Sequence, residues 1–526
     1  MSLVTFKVNK PFSIIILVII FNLFETVSCI SVTNERYRLN YHIMSPAGWI
    51  NDPNGFSYYN GEYHVFYQYN PDDATHANMH WGHVKSEDLV HWKHLPIALY
   101  QDQPYDVDGV YSGSGIVVNE SLVLMYTGNV NQIDGRDFST QSQALAISSD
   151  GESFIKYINN PVIPFPPQNG GNDFRDPKIW KYNDTLYVVL GNQNNLTMQG
   201  RAVIYSSYDL FDWTYVGVLA ESTGSFGYMW ECPDFFELNG FHILLLSPQG
   251  IEANGDDYQN IYQTGYFVGS YNYRTNNFSH SNTFIELDHG HDFYAAQTME
   301  TPDGRRIMIA WMDMWERDYP EQEDGWVGAL TIPRELTLSS SGRILQNPVQ
   351  ELIALRTSTL LNTTLNVEGI SKLFDVHSAE ILIKATFNDA ITQVGIRIEL
   401  GNNSCVLAYL DTSNNKFVLD RGDNDPRRTL INVTNANNPE ALEMRVFLDK
   451  SSIEIFLGDG EITFSSRIYP SSTPAVYALS NGTVTQMEVV AYELENIWSG
   501  SWCIRQSSFV QAFYFAAYLM AKLYIQ

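Results

Sequence analysis

From residue 40 to about 340, short runs of alternating apolar and polar residues are separated by Gly, Asn, Asp and Pro. Tyr63-His64-Val65-Phe66-Tyr67-Gln68-Tyr69 and Leu186-Tyr187-Val188-Val189-Leu190 have the aromatic and β-branched content of strands. No long stretch carries the 3.6-residue period of a helix, so the region reads as nearly all β. Alternation returns from about 370 to 495, as in Ala379-Glu380-Ile381-Leu382-Ile383-Lys384-Ala385 and Ser452-Ile453-Glu454-Ile455-Phe456-Leu457. That second region predicts a β-sandwich. A short helix is expected over 351–356.

A repeat divides the first region. Ser86-Glu87-Asp88-Leu89-Val90-His91-Trp92 recurs as Ser207-Tyr208-Asp209-Leu210-Phe211-Asp212-Trp213, with a degraded copy, Ser149-Asp150-Gly151-Glu152-Ser153-Phe154, between them. A unit of about 60 residues holds four strands and their loops, which is one propeller blade. Five such units fill the stretch. The expected organisation is all-β: a leader over 1–29, a five-bladed β-propeller over 36–345, a linker over 346–368, a β-sandwich over 369–497 and an apolar tail over 498–526.

Acidic motifs follow the same spacing. Asp52, Asp108, Asp176, Glu231 and Asp292 fall one per unit. Acids at equivalent points of successive blades would converge on one central funnel, whereas coincidence in an acid-rich chain would scatter them. Three lie in turn-forming settings: Trp49-Ile50-Asn51-Asp52-Pro53-Asn54-Gly55, Arg175-Asp176-Pro177 and Trp230-Glu231-Cys232-Pro233-Asp234. Each alone would read as a turn or a surface ion pair.

Composition narrows the partners. Lys and Arg number 31 against 59 Asp and Glu, a net charge of −28. Nucleic acid and anionic membranes are excluded as partners of choice, and a neutral substrate meets no long-range penalty. Lys7 and Lys10, the apolar run Phe12–Phe24 and Val27-Ser28-Cys29 form a secretory leader with cleavage near Ile30. Asn-x-Ser/Thr sequons at Asn119, Asn183, Asn195, Asn277, Asn362, Asn402, Asn432 and Asn481 then predict a secreted, extracellular glycoprotein. Cys232, Cys405 and Cys503 remain after cleavage; Cys405–Cys503 is the one pairing to entertain, and Cys232 reads as a small buried residue. The apolar stretch Phe509–Tyr524 resembles a lipid-anchor signal, but its short spacer and Lys522 favour a buried or amphipathic end over membrane attachment. Histidines 76, 80, 83, 91 and 94 lack zinc spacing, so no metal and no cofactor is expected.

Paired carboxylates are what glycosidic-bond cleavage needs: a nucleophile and a proton donor, ~5–5.5 Å apart for retention. Asn51 and Asn54 can hydrogen-bond an ionised Asp52, suiting it to attack. Tyr228 and Trp230 can keep water from Glu231, suiting it to hold a proton. Asp176 beside Arg175 is expected to stay ionised and to grip sugar hydroxyls.

The motifs together resemble those of the β-fructofuranosidases of glycoside hydrolase family 32, whose pattern is a WMNDPNG box, an RDP box and an ECP box. Here the first carries Ile50 for Met and the others are intact. Family-like stretches also include Phe66–Pro71, His80-Trp81-Gly82-His83, Tyr111-Ser112-Gly113-Ser114, Asp292–Thr298 and Ala310-Trp311. The resemblance covers about 40 to 495 and implies a propeller followed by a sandwich. It implies Asp52 as nucleophile at C2 of a fructosyl unit, Glu231 as acid and base, and Asp176 as transition-state stabiliser. Asn51, Gln68, Trp81, Tyr111, Ser112, Arg175 and Asp292 would line the fructose site, with Trp49, Trp311 and Trp315 as aromatic wall. It implies sucrose hydrolysis; a fructan hydrolase, a fructosyltransferase and a non-catalytic sugar-binding relative are the alternatives. Oligomeric state is not legible.

Overall fold

The computed structural model describes residues 30–131, 139–387, 391–431 and 441–498. The expected leader, all of the apolar tail after Trp498, and Cys503 with its pairing to Cys405 lie outside them. Five antiparallel sheets form the first region, each built from consecutive strands. Their first strands are Gly48–Tyr59, Val110–Val118, Gly170–Tyr182, Met229–Leu238 and Tyr294–Glu300. Each packs against the next, and the last against the first, closing a ring about one axis. Trp326–Val327, which follows two strands of the fifth blade, pairs in parallel with Gly48 and Trp49 and ties that blade to the first.

The sequence repeat proves to be a turn at the same place in three blades, between third and fourth strands. Ser86, Ser148 and Ser207 each donate a hydroxyl proton to the Asp two residues on, and that Asp accepts two backbone N–H groups. Alignment through Ser148 rather than Ser149 brings the middle copy into register. The next residue in each turn, Leu89, Gly151 or Leu210, has positive φ. The Asp side chain therefore replaces ladder bonds that a turning backbone cannot make.

The second region is a ten-stranded sheet folded on itself. The long strand Ala475–Leu494 pairs through 475–481 with Gln393–Gly401 and through 486–493 with Ala379–Thr386, so it belongs to both halves. The expected linker 346–368 is not one. Ile344–Pro348 is the last strand of the fifth blade and Arg356–Asp375 runs along Ala475–Leu494. Only the 3₁₀ helix Gln350–Leu355 connects the two, close to the expected short helix.

Buried charge joins propeller to sandwich. Arg334, fully buried, reaches Asp288 at 3.0 Å and Glu454 at 2.6 Å and lies between Phe293 and Phe456. Gly290 presses on the Ser465 backbone, where a Cβ would stand 2.0 Å from the carbonyl oxygen, so any larger residue would separate the domains. Removing one partner of such a cluster strands an uncompensated charge, so the two domains hold together as a unit.

Candidate active site

The three motifs are not turns. Each lies inside an innermost strand, at a β-bulge. Register slips between Ile50 and Pro53, Tyr111 and Gly113, Arg175 and Lys178, Glu231 and Asp234, and Tyr294 and Gln297. All five innermost strands thus bulge at the same height, and bulges re-aim side chains. Asp176, Cys232 and Ala295 sit at these bulges with φ of 65°, 46° and 53°. This backbone strain is stored where Asp52, Asp176 and Glu231 converge.

Asp52 is buried. Its Oδ2 accepts the Ser112 hydroxyl at 2.6 Å and the Cys232 thiol at 3.5 Å, and its Oδ1 accepts Asn51 Nδ2 at 3.0 Å. Asn54 does not reach the carboxylate: its amide donates to the Asp52 carbonyl and accepts the Gly113 N–H. It holds the bulge. Asp176 Oδ2 accepts the Cys232 N–H at 2.9 Å and its thiol at 3.7 Å. One thiol therefore bridges Asp52 and Asp176. Burial, then the two carboxylates, push that thiol well above its usual range, so it stays a donor.

Arg175 makes no ion pair with its sequence neighbour. Its guanidinium reaches across to the next blade, meeting Glu231 Oε1 at 3.0 Å, and also Asp173 at 2.6 Å. The Tyr294 hydroxyl donates to Glu231 Oε2. Trp230, expected beside Glu231, is fully buried on the opposite face, in the core shared by the third and fourth blades. Tyr228 is about half exposed near the acid.

Asp176 ionises less readily than its place beside Arg175 suggests. Burial pushes its carboxyl up to about 7; Arg175 opposes this, while Glu231 and Asp52 add to it. Burial likewise raises Asp52, against the Ser112 hydrogen bond and with Glu231 adding. The Asp176 shift has a consequence for stability. A carboxyl raised in the folded state is favoured by folding at low pH, and this advantage is lost as pH rises from the unfolded value near 3.8 through about 7. Asp176→Asn is therefore expected to raise the melting temperature at pH 8 and to leave it nearly unchanged at pH 4. An equal shift at both values would contradict the raised carboxyl.

The remaining expected residues divide. Trp49 donates its indole N–H to Asn51 at 2.7 Å and stacks on half-buried Trp315 with ring centres 5.9 Å apart. Tyr111 is half-buried and Ser112 buried on the second innermost strand. Gln68 is buried and fixes the Val110 carbonyl at 2.9 Å. Trp81 and Trp311 are fully closed from solvent: Trp81 belongs to the core between the first two blades and holds the Tyr111 carbonyl, and Trp311 packs behind Trp49 and Trp315. They support the wall rather than face the funnel. Asp292 departs most. It lies two residues before its innermost strand, fully buried against the sandwich and bonded to Arg421, Tyr319 and the Arg467 N–H. Burial works against its charge, but Arg421 and Arg317 hold its carboxyl below the usual range. Asp108 also precedes its strand and accepts the Asn131 N–H. Neither joins the three acids, so the fivefold feature is the bulge, and Ser112 and Ala295 fill the second and fifth places.

Sequence reasoning gave no role to Tyr294, although it lies in a quoted stretch, nor to Cys232 as a bridging donor. It weighed His76 only as a metal ligand, whereas its ring meets Trp315 edge-on at 4.8 Å. A small cavity beside the acids is lined by Asn54, Ser112, Asp176, Lys178, Cys232 and Gln297.

The glycosyl hydrolases family 32 N-terminal domain matches residues 42–348, and the family 32 C-terminal domain matches 351–495. The chain belongs to glycoside hydrolase family 32. A sucrose-6-phosphate hydrolase of Zymomonas mobilis is 39% identical over 447 residues, covering 82% of this chain and 86% of its own. A raffinose invertase of Escherichia coli is 39% identical over 439 residues, covering 82% and 89%. Among solved structures, a Bombyx mori GH32 β-fructofuranosidase is 42% identical with a TM-score of 0.80, covering 88% of this chain and 95% of that one. This family 32 chain is accordingly a glycoside hydrolase, a β-fructofuranosidase. The two domain matches meet at 348–351, where the fifth blade ends and the 3₁₀ helix begins.

Proposed function

We propose that the enzyme hydrolyses sucrose with retention, by double displacement. Asp52 attacks C2 of the fructosyl unit while Glu231 gives its proton to the departing glucosyl oxygen, and the C2–O bond breaks. Water then adds to C2, Glu231 takes its proton, and Asp52 is released. Asp176 binds fructose hydroxyls. The observation that carries this reading is the convergence of the three acids at in-phase bulges, with Asp52 held by Ser112 and Asn51 as an attacking anion would be.

The names of the curated relatives favour a second substrate, sucrose-6-phosphate. Two features support the neutral sugar. A mutant of the Bombyx mori enzyme was solved in complex with sucrose. Among the described residues, Arg175 and Arg317, the arginines at the acids and beside Trp315, already face carboxylates: Asp173 and Glu231, and Asp292 and Asp425. A phosphate would need a free cation. We read residues 1–29 as a leader for secretion, and the sequons as glycosylated. In support, every sequon asparagine among the described residues is exposed; Asn432 lies outside them.

Incubation with each substrate in aqueous methanol tests the reading. Sucrose is expected to be cleaved faster than sucrose-6-phosphate and to yield methyl β-fructofuranoside. Preference for the phosphorylated sugar would replace the substrate, and an α-fructoside would replace the mechanism.

A further inference from the structure

The position of Asp292 has a use that the funnel does not explain. Its Oδ1 accepts the Tyr319 hydroxyl at 2.8 Å, and its Oδ2 accepts the Arg467 N–H at 2.8 Å and Arg421 Nη1 at 3.0 Å. Both arginines belong to the sandwich. The Tyr319 oxygen in turn accepts the Met314 N–H at 2.6 Å. Arg467 also reaches the neighbouring Asp313 at 3.0 Å and Glu321. Asp292, Asp313, Glu321 and Arg467 are fully buried, and Tyr319 nearly so.

Two consecutive residues of the segment 311–315 are thus fastened to sandwich arginines, Asp313 directly and Met314 through Tyr319 and Asp292. The same segment carries the aromatic wall. Trp315 stacks on Trp49 at an interplanar angle of 22°, Trp49 donates to Asn51, and Asn51 donates to Asp52. A continuous path of packing and hydrogen bonds runs from the second domain to the edge of the site.

We propose that Tyr319, Asp292, Arg421 and Arg467 are positioning residues, through which the sandwich sets the Trp315–Trp49 wall and so governs binding of the sugar beyond the cleaved bond. None of the four touches the three acids. Their side chains bond to one another and to their neighbours at the domain interface, so their effect on substrate passes through the wall. The inference rests on the β-fructofuranosidase activity and not on which sugar is preferred.

A double-mutant cycle between Tyr319→Phe and Trp315→Ala tests it, with kinetics measured on the β-fructofuranoside that the wild type cleaves fastest. Loss of the hydroxyl leaves the Met314 N–H and Asp292 Oδ1 short of a partner. Tyr319→Phe is expected to raise KM by ~5-fold or more with kcat within ~2-fold, and to raise it no further in the Trp315→Ala background, because coupled residues are non-additive. If Tyr319→Phe lowers the melting temperature but leaves KM unchanged, or if its effect persists undiminished without Trp315, the residues only hold the domains together and the proposal fails. Arg421→Lys keeps the charge and loses the fork. It serves in the same cycle if the first variant does not fold, with the same two outcomes decisive. A wild type that turns over raffinose but not sucrose would revise the substrate and leave the cycle intact.

Discussion

Replacing Asp52 by Asn or Ala is expected to reduce β-fructoside hydrolysis by at least ~10⁴-fold, a loss of ~5.5 kcal/mol of transition-state stabilisation. The fold should survive. Asp52 is buried with Glu231 close by, and both burial and that charge disfavour its anion. In Asp52→Asn, removing the charge relieves a native-state cost while an amide still fills the site, and the melting temperature should hold or rise. Three donors converge on Asp52: the Ser112 hydroxyl, the Asn51 amide and the Cys232 thiol. Such donors aim an anion but cannot replace one. Asp52→Asn keeps the shape and loses the nucleophile, so its kcat should fall while sucrose still binds. A variant retaining more than about one per cent of wild-type activity would place the attacking group elsewhere, since no covalent intermediate can form without it.

The blade repeat was legible in the sequence because its signals were local. The repeated turn at Asp88, Asp150 and Asp209 is fixed by neighbouring residues, so it announces the blade and its length. The bulges were not legible. They arise from pairing between strands, and they decide which side chain faces the axis. Asp108 and Asp292 share the acid spacing, but both stop two residues short of the innermost strand. At ~3.3 Å per residue that displacement moves a side chain out of the cluster. Arg175 was placed with Asp176 by adjacency, whereas its hydrogen bonds cross to Glu231 of the next blade, a partner that pairing between blades alone reveals. The strand Arg356–Asp375 escaped for a different reason. It lies mostly exposed along Ala475–Leu494, so no buried face imposes alternation on it. The sandwich contact of Asp292 could not be seen at all, because its partners Arg421 and Arg467 are 129 and 175 residues away.

Glu231→Gln is expected to give the second large effect, and its pattern should separate proton transfer from site-shaping. The carboxyl is held from two sides, by Arg175 on Oε1 and Tyr294 on Oε2. A glutamine can keep part of that geometry but cannot protonate a glucosyl oxygen. Sucrose hydrolysis should fall by about 10²–10⁴-fold, the usual contribution of a general acid. Fructosyl fluoride has a leaving group that needs no proton, so its first step should proceed. The second step still needs a base to activate water, and the carboxamide of the variant supplies none. The fructosyl-enzyme should therefore accumulate on Asp52, visible as a burst of fluoride close to one per active site and as added mass on the protein. Near-normal sucrose turnover would move the acid to another group. An equal loss on sucrose and fluoride, with no burst, would mean that Glu231 shapes the site through Arg175 and Tyr294 and that the proton comes from elsewhere. Burst and selective loss together assign one residue both roles, acid in the first step and base in the second, as microscopic reversibility requires.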